Sequence, residues 1–205
     1  MPEITLLGGY SSPFTRKVRI VFAEKGIPFD LQQATTAGED NPVIPRNPLG
    51  KIPTIIVNGG QSIYDSRVIV EYLETIAPSP ALLPAGGLDR VMVKRWEALG
   101  DGICDAGVAC MGEKRRTANQ SQDYIDRQLN KVKRGIAVAA KELGDKPWCH
   151  GGTHTLADIA LGTALGYIGF RFPEFNWRRQ HPNLHDLHER LMERKAFADT
   201  VPRDH

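Results

Sequence analysis

Two hydroxyls, Ser11 and Ser12, stand directly before Pro13 and Phe14. They lie between a short apolar run, Ile4 to Leu7, and a helical pattern carried by Val18, Val21, Phe22 and Lys25 and closed by Gly26. A strand-to-helix junction of this kind can hold an anion or a thiolate, because unpaired backbone N–H groups and the helix dipole point at it. Pro13 fits the first helical turn, where its missing donor costs nothing. It also pushes Ser12 toward an extended backbone, which makes Ser12 the expected N-cap. Two further segments could carry chemistry. In Gly50-Lys51-Ile52-Pro53 a proline opens the apolar run Thr54 to Val57. A cis bond before Pro53 would turn the Ile52 N–H and C=O away from the sheet, where an extended peptide could pair with them. In Tyr64-Asp65-Ser66-Arg67 a strand hands over to a helix. Asp65 is there either a plain N-cap or part of a binding site. In the second case the Ser66 N–H and hydroxyl take a carboxylate and Asp65 accepts from an ammonium.

The elements that must position these residues fall into two stretches. Before Ala77, apolar runs (Ile4–Leu7, Phe29–Gln32, Thr54–Val57, Ser62–Tyr64) alternate with helical patterns, the last from Ser66 to Ile76. Asn58-Gly59-Gly60 is a tight hairpin signal. The order β-α-β-(α)-β-β-α predicts a small mixed sheet whose first two strands are joined by a parallel crossover. Residues 78–87, with Pro78, Pro80, Pro84, Gly86 and Gly87, read as a linker. Beyond it only helical spacing is found: Leu88, Met92, Trp96, Leu99 and Ile103, then Ile125, Leu129, Val132, Ile136 and Leu143, and finally Leu184, Leu187 and Leu191. Residues 157–170 are apolar nearly all round, which predicts the central helix of a bundle. Gly162, Gly166 and Gly169 would let neighbours approach it, and Thr155 with Asp158 would cap it. The expected organisation is an α/β domain over 1–77, a linker over 78–87 and an all-helical domain over 88–205.

Composition narrows the function classes. The 205 residues carry 26 basic and 24 acidic side chains, a net charge of +2. That balance argues against a nucleic-acid binder. No apolar run is long enough to span a bilayer, and no basic segment followed by an apolar one is visible at the start, so a soluble cytoplasmic protein is expected. Cys104, Cys110 and Cys149 are odd in number and widely spaced, which argues against disulfides; buried thiols are expected. His181, His185 and His188 lack the Cys or carboxylate partners that would complete a metal shell, so no metal is expected.

Taken together, the segments resemble the cytosolic glutathione transferase superfamily over the whole chain, in a serine-type form similar to the plant tau and related bacterial groups. The likeness rests on Ser12-Pro13-Phe14 with Arg16 and Val18, Gly50-Lys51-Ile52-Pro53, Asp65-Ser66 with Ile69 and Tyr72-Leu73, the linker prolines, and Thr155-Leu156-Ala157-Asp158. It implies a thioredoxin-like N-terminal domain followed by an all-α C-terminal domain. It also implies glutathione as co-substrate, a small hydrophobic electrophile as the other partner, a role in detoxification, and a homodimer. Carried over by position, Ser12 would donate a hydrogen bond to the glutathione sulfur, with Ser11 as its rival. Ile52 would pair with the cysteinyl unit beside a cis-Pro53, Lys51 would meet the glycine carboxylate, and Asp65 and Ser66 would hold the γ-glutamyl end. Cys104, Val108, Met111, Phe170 and Phe172 are the expected lining for the electrophile, each with core packing as its alternative.

Redox relatives of this fold carry Cys-Pro-aromatic-Cys at the turn. Ser12 and Thr15 stand in those places, so dithiol exchange is excluded and the sulfur must come from a ligand. A free thiol near pKa 8.5 is roughly 3% ionised at pH 7. Lowering it by about two units makes roughly 25-fold more thiolate, and the accompanying loss of nucleophilicity returns about 8-fold, for a net gain of about 3-fold. Positioning the electrophile must therefore supply more of the rate. Two other readings stay open: a module that binds glutathione or a hydrophobic ligand without turnover, and a glutathione-dependent isomerase or dehalogenase.

Overall fold

The computed structural model describes residues 1–34, 36 and 41–204. The chain divides into two compact units: residues 1–82 together with the tail from Lys195, and Leu83–Arg194. The first boundary falls within the expected linker. The tail, expected from the sequence to lie with the helical domain, belongs with the sheet unit.

In the first unit four strands, β1 (Ile4–Gly8), β2 (Asp30–Gln33), β3 (Thr54–Val57) and β4 (Gln61–Ile63), form one mixed sheet in the order β2-β1-β3-β4. β1 runs parallel to β2, from Thr5 opposite Asp30 to Gly8 opposite Gln33, and antiparallel to β3, from Ile4 opposite Val57 to Leu7 opposite Thr54. β3 turns into β4 through Asn58 and Gly59, both at positive φ, as the hairpin signal predicted. The helices α1 (Pro13–Glu24) and α2 (Ser66–Ile76) pack against each other. Leu6, Val18, Val21, Phe22, Ile55, Ile69, Val70 and Leu73 are completely enclosed. Between β2 and β3 the described residues make turns and no helix. The outer strand β2, Asp30-Leu31-Gln32-Gln33, keeps three polar side chains in solvent, which blunts an exposed edge.

A buried ammonium ties the end of α1 to the segment beyond α2. Lys25 Nζ donates to the Ala77 carbonyl at 2.7 Å and the Pro80 carbonyl at 2.9 Å, and lies 3.0 Å from Glu74 Oε1. Three donors meet three acceptors, which offsets the cost of taking the charge out of water. The tail continues from α8 (Lys195–Ala198), which lies against α1. Phe197 is fully buried there, and its carbonyl accepts from Arg16 Nη2 at 3.4 Å.

Among its described residues the second unit is helical throughout, with the long helices α3 (Gly87–Lys114), α4 (Gln122–Leu143) and α5 (Leu156–Arg171), then α6 (Trp177–Gln180) and α7 (Pro182–Met192). α5 is buried without a break from Leu156 to Leu165. Asp158 Oδ2 accepts from the Thr155 N–H at 2.8 Å while Thr155 Oγ1 accepts from the Ala157 N–H at 3.3 Å, the capping pair expected from the sequence. Asp158 also accepts the Cys149 N–H through Oδ1 at 2.8 Å. α3 and α5 come close at Gly100, where a Cβ would lie 2.7 Å from the backbone C and O of Ala160.

Candidate functional site

The turn between β1 and α1 is built by small residues and one threonine. A Cβ on Gly8 would fall 2.4 Å from Thr15 Cγ2, so only glycine leaves room for that side chain. Thr15 Oγ1 in turn accepts the Gly9 N–H at 3.5 Å, and the Ser12 N–H donates to the Gly9 carbonyl at 3.2 Å. Ser12 is the N-cap, extended at φ −78° and ψ 123°, with Oγ accepting from the Thr15 N–H at 3.2 Å. That contact uses a lone pair. A hydroxyl that accepts still has its proton to donate, so capping and a hydrogen bond to a thiolate are compatible duties for one Ser12. Ser11 and Ser12 are both half-buried.

The Lys51-Ile52-Pro53 segment is held from below by two buried asparagines. Asn47 Nδ2 donates to the Lys51 carbonyl at 2.9 Å and to Thr54 Oγ1 at 3.2 Å, while its Oδ1 accepts the Leu49 N–H at 3.0 Å. Asn41 Oδ1 accepts the Val43 N–H at 2.9 Å and its Nδ2 donates to the Gly50 carbonyl at 3.0 Å. Gly50 sits at φ +60°, and a Cβ there would meet Asn41 Nδ2 at 2.9 Å. The Ile52–Pro53 bond is cis. Among the described residues neither the N–H nor the C=O of Ile52 takes part in a hydrogen bond. The Ile52 side chain reaches the serine turn: a Cβ on Gly9 would lie 3.4 Å from Ile52 Cδ1. The Ile52 segment therefore lies beside the glycine pair that leads into the serine turn. Lys51 is exposed.

At the third segment Asp65 caps α2, its Oδ1 accepting the Arg67 N–H at 2.9 Å. Asp65 is exposed and Ser66 is buried. The Ser66 N–H lies in the first helical turn, which offers no intrahelical acceptor, and its side chain has no hydrogen-bond partner among the described residues.

Cys104, Val108, Met111 and Phe170, named from the sequence as electrophile lining, all lie in the helical unit. Cys104 and Phe172 are enclosed, at 2% and 1% exposure, whereas Val108 is exposed and Met111 and Phe170 are half-buried. The Phe170 ring carries the Arg171 guanidinium 4.2 Å from its centroid. Burial pushes the Tyr167 hydroxyl up to about 12 against the opposing charges of Arg171 and Arg115, so it stays a neutral donor at physiological pH. The chain's own thiols are poor nucleophiles. All three are buried; burial raises Cys110, and burial followed by the Asp158 charge raises Cys149 far above the ordinary range.

Sequence reasoning passed over Asn41, Asn47, Gly8 and Thr15 as positioning residues. The Gly8-Gly9 pair before the serines was a visible signal; the reach of the asparagines across the loop was not.

A four-stranded mixed sheet followed by a helical region has counterparts in known proteins. Residues 6–81 match the family model described as "Glutathione S-transferase, N-terminal domain", and residues 122–190 match "Glutathione S-transferase, C-terminal domain". The chain is 40% identical to the uncharacterized GST-like protein YibF of Escherichia coli over 198 residues, covering 96% of this chain and 98% of that one. Among solved structures, a glutathione S-transferase of Methylobacterium radiotolerans, in complex with glutathione sulfonate, superposes with a TM-score of 0.94 at 42% identity, covering 99% of this chain and 96% of that one. Another, from Methylobacillus flagellatus with glutathione bound, gives 0.93 at 43%, covering 98% and 100%. Matched in both halves and across nearly its whole length, the chain belongs to the glutathione S-transferase family.

Proposed function

We propose that the protein is a transferase that binds glutathione along Lys51, Ile52, Pro53, Asp65 and Ser66, holds its sulfur as thiolate beside Ser12, and joins it to a small electrophile. The observation that carries this is the Ile52 backbone, which has no hydrogen-bond partner among the described residues and whose side chain lies beside Gly9 at the entry to the serine turn. An extended peptide laid along Ile52 as an added strand would bring a cysteinyl side chain toward the Ser12 hydroxyl. The glutathione and glutathione sulfonate held by two relatives above 40% identity support the same choice of ligand.

In the reaction the thiol proton leaves to solvent and the Ser12 O–H donates to the resulting anion. The sulfur lone pair then forms the bond to carbon, and the leaving group departs with its bonding pair. Lys51 supplies positive charge toward the glycine carboxylate, and Asp65 accepts from the γ-glutamyl ammonium. Val108, Met111 and Phe170, the electrophile lining that the resemblance implied, each keep surface that a ligand could meet. The reading extends to a homodimer, as the resemblance implied, and to the cytoplasmic location expected from the sequence. No helix among the described residues is long and apolar enough to cross a membrane.

Ser12→Ala and Ser11→Ala, assayed separately with an aryl halide, test the assignment. Loss of the thiolate interaction is expected to cut turnover about 3-fold at pH 7 in Ser12→Ala, and to raise the pKa of bound glutathione read from its thiolate absorbance. Full activity and an unmoved thiol pKa in both variants would remove the hydroxyl mechanism. Calorimetric binding of glutathione with no turnover of any electrophile would instead point to a binding module.

A further inference from the structure

Two cations next to the serine turn have no place in the chemistry above. Tyr10 is the residue before Ser11, so its Cα lies at most about 7 Å from that of Ser12. The guanidinium carbon of Arg19 is 5.1 Å from the centroid of the Tyr10 ring, and that of Arg203 is 4.2 Å from it. They arrive from different segments: Arg19 from α1, two turns beyond Ser12, and Arg203 from the tail. The tail is anchored on its way there. Phe197 lies under the Arg16 guanidinium at 5.7 Å, the Thr200 hydroxyl is buried and donates to the Ala196 carbonyl at 2.7 Å, and Arg19 Nη2 donates to the Asp199 carbonyl at 3.4 Å.

Arg19 and Arg203 bring two positive charges to the Tyr10 ring. The Asp199 carboxylate is engaged by Lys195, and Arg203 makes no ion pair or hydrogen bond among the described residues. Burial holds the Arg19 pKa below its ordinary value; Tyr10 opposes that shift and the positive charge of Arg203 adds to it. Two like charges brought to one ring disfavour each other, and an anion that reaches both relieves this. A planar carboxylate suits guanidinium groups best, since it can accept two parallel hydrogen bonds.

We propose that Arg19 and Arg203 form a carboxylate subsite beside the serine turn, so that the preferred electrophile carries a carboxylate in addition to its reacting carbon. This rests on the transferase reading above and narrows its substrate class from hydrophobic electrophiles in general to acidic ones. Arg203 is a specificity-determining residue and takes no part in activating the thiol.

The test is calorimetric binding of glutathione, S-propylglutathione and S-carboxyethylglutathione to the full-length protein. The two conjugates are close in size and differ by one carboxylate. The parent protein is expected to bind the carboxyethyl conjugate about fivefold more tightly, an advantage typical of an exposed charge-assisted contact and one that shrinks as salt is added. Arg203→Gln, an exposed substitution, is expected to erase most of that advantage while glutathione affinity stays put. Arg203→Lys should keep part of it, which separates charge from ring stacking. Equal affinity for the two conjugates in the parent, or an advantage that survives both Arg203→Gln and Arg19→Gln, would overturn the subsite alone. Failure of glutathione itself to bind would overturn the transferase reading and the subsite with it.

Discussion

The loop from Asn41 to Thr54 and the crossing of α3 with α5 both hold backbone in a fixed place, by opposite means. In the loop, two buried amide side chains do it through directional bonds: Asn41 to Val43 and Gly50, Asn47 to Leu49, Lys51 and Thr54. At the crossing, close packing does it. Gly100 lacks a side chain, and the Ala160 backbone occupies the space. The first arrangement is undone by removing one amide and the second by adding one methyl. A site that must present backbone groups to a ligand needs the first kind, because hydrogen bonds set orientation as well as distance. A scaffold that need only resist deformation can rely on the second.

The sharpest test of this contrast is the added methyl. Alanine normally stabilises a helix relative to glycine by about 0.5–1 kcal/mol. At Gly102, also in α3 but exposed with nothing within 4 Å of a Cβ, Gly102→Ala is expected to show that gain. At Gly100 the new methyl would meet backbone atoms of α5 at 2.7 Å, which cannot step aside as a side chain can. Gly100→Ala is therefore expected to destabilise by about 3 kcal/mol and to lower the thermal midpoint by about 6–12 °C. Two variants two residues apart should move in opposite directions. A Gly100→Ala protein as stable as the parent would mean that the helices do not approach as described.

The removed amide comes next. Asn47→Ala deletes three hydrogen bonds at a site 1% exposed, an expected loss of about 2 kcal/mol. Its larger signature should be functional. With the Lys51 carbonyl no longer tethered, the Ile52 backbone loses its fixed orientation, and glutathione is expected to bind about tenfold more weakly, a change of about 1.4 kcal/mol. Gly100→Ala, measured on folded protein, should leave glutathione affinity within about twofold. If both variants lose affinity alike, the separation between an oriented loop and a packed scaffold is wrong.

What could be read from the sequence obeys the same division. Periodic burial is written locally, so α2, β3 and the long helices of the second unit stood out. So did the cap at Ser12 and the Thr155–Asp158 pair, which need only neighbours a few residues away. The Asn47 bonds to Lys51 and Thr54 depend on the path of a turn-rich loop with no period to reveal it. Close approach to α5 was expected at Gly162, Gly166 and Gly169 because that helix is apolar all round. Gly100 was missed because it supplies the space from the partner helix, and a glycine does not show which surface it will face. The four-residue helices α6 and α8 are too short to repeat a pattern. The tail carries one large apolar anchor, Phe197, so its pattern alone could not place it beside the serine turn instead of with the helical domain.

The smallest effect tests whether the packed unit keeps water out. Tyr167 lies against the Gly107 backbone of α3, where a Cβ would meet its ring at 3.0 Å. Burial raises its hydroxyl to about 12, from about 10 in the unfolded chain. Between those two values the folded protein keeps a proton that the unfolded chain has lost, so stability must fall as pH rises. The contribution is complete below pH ~10, and about 1.4 kcal/mol of it should be gone by pH ~11. Other groups titrate in this range as well, so the informative quantity is the difference between the parent and Tyr167→Phe. The parent's denaturant midpoint is expected to fall faster than the variant's across that window as pH rises. If the two proteins lose stability in parallel, water reaches the Tyr167 hydroxyl. The gap between α3 and α5 at Gly107 would then be looser than at Gly100, and the contrast with the oriented loop would hold for one end of the helix pair and fail at the other.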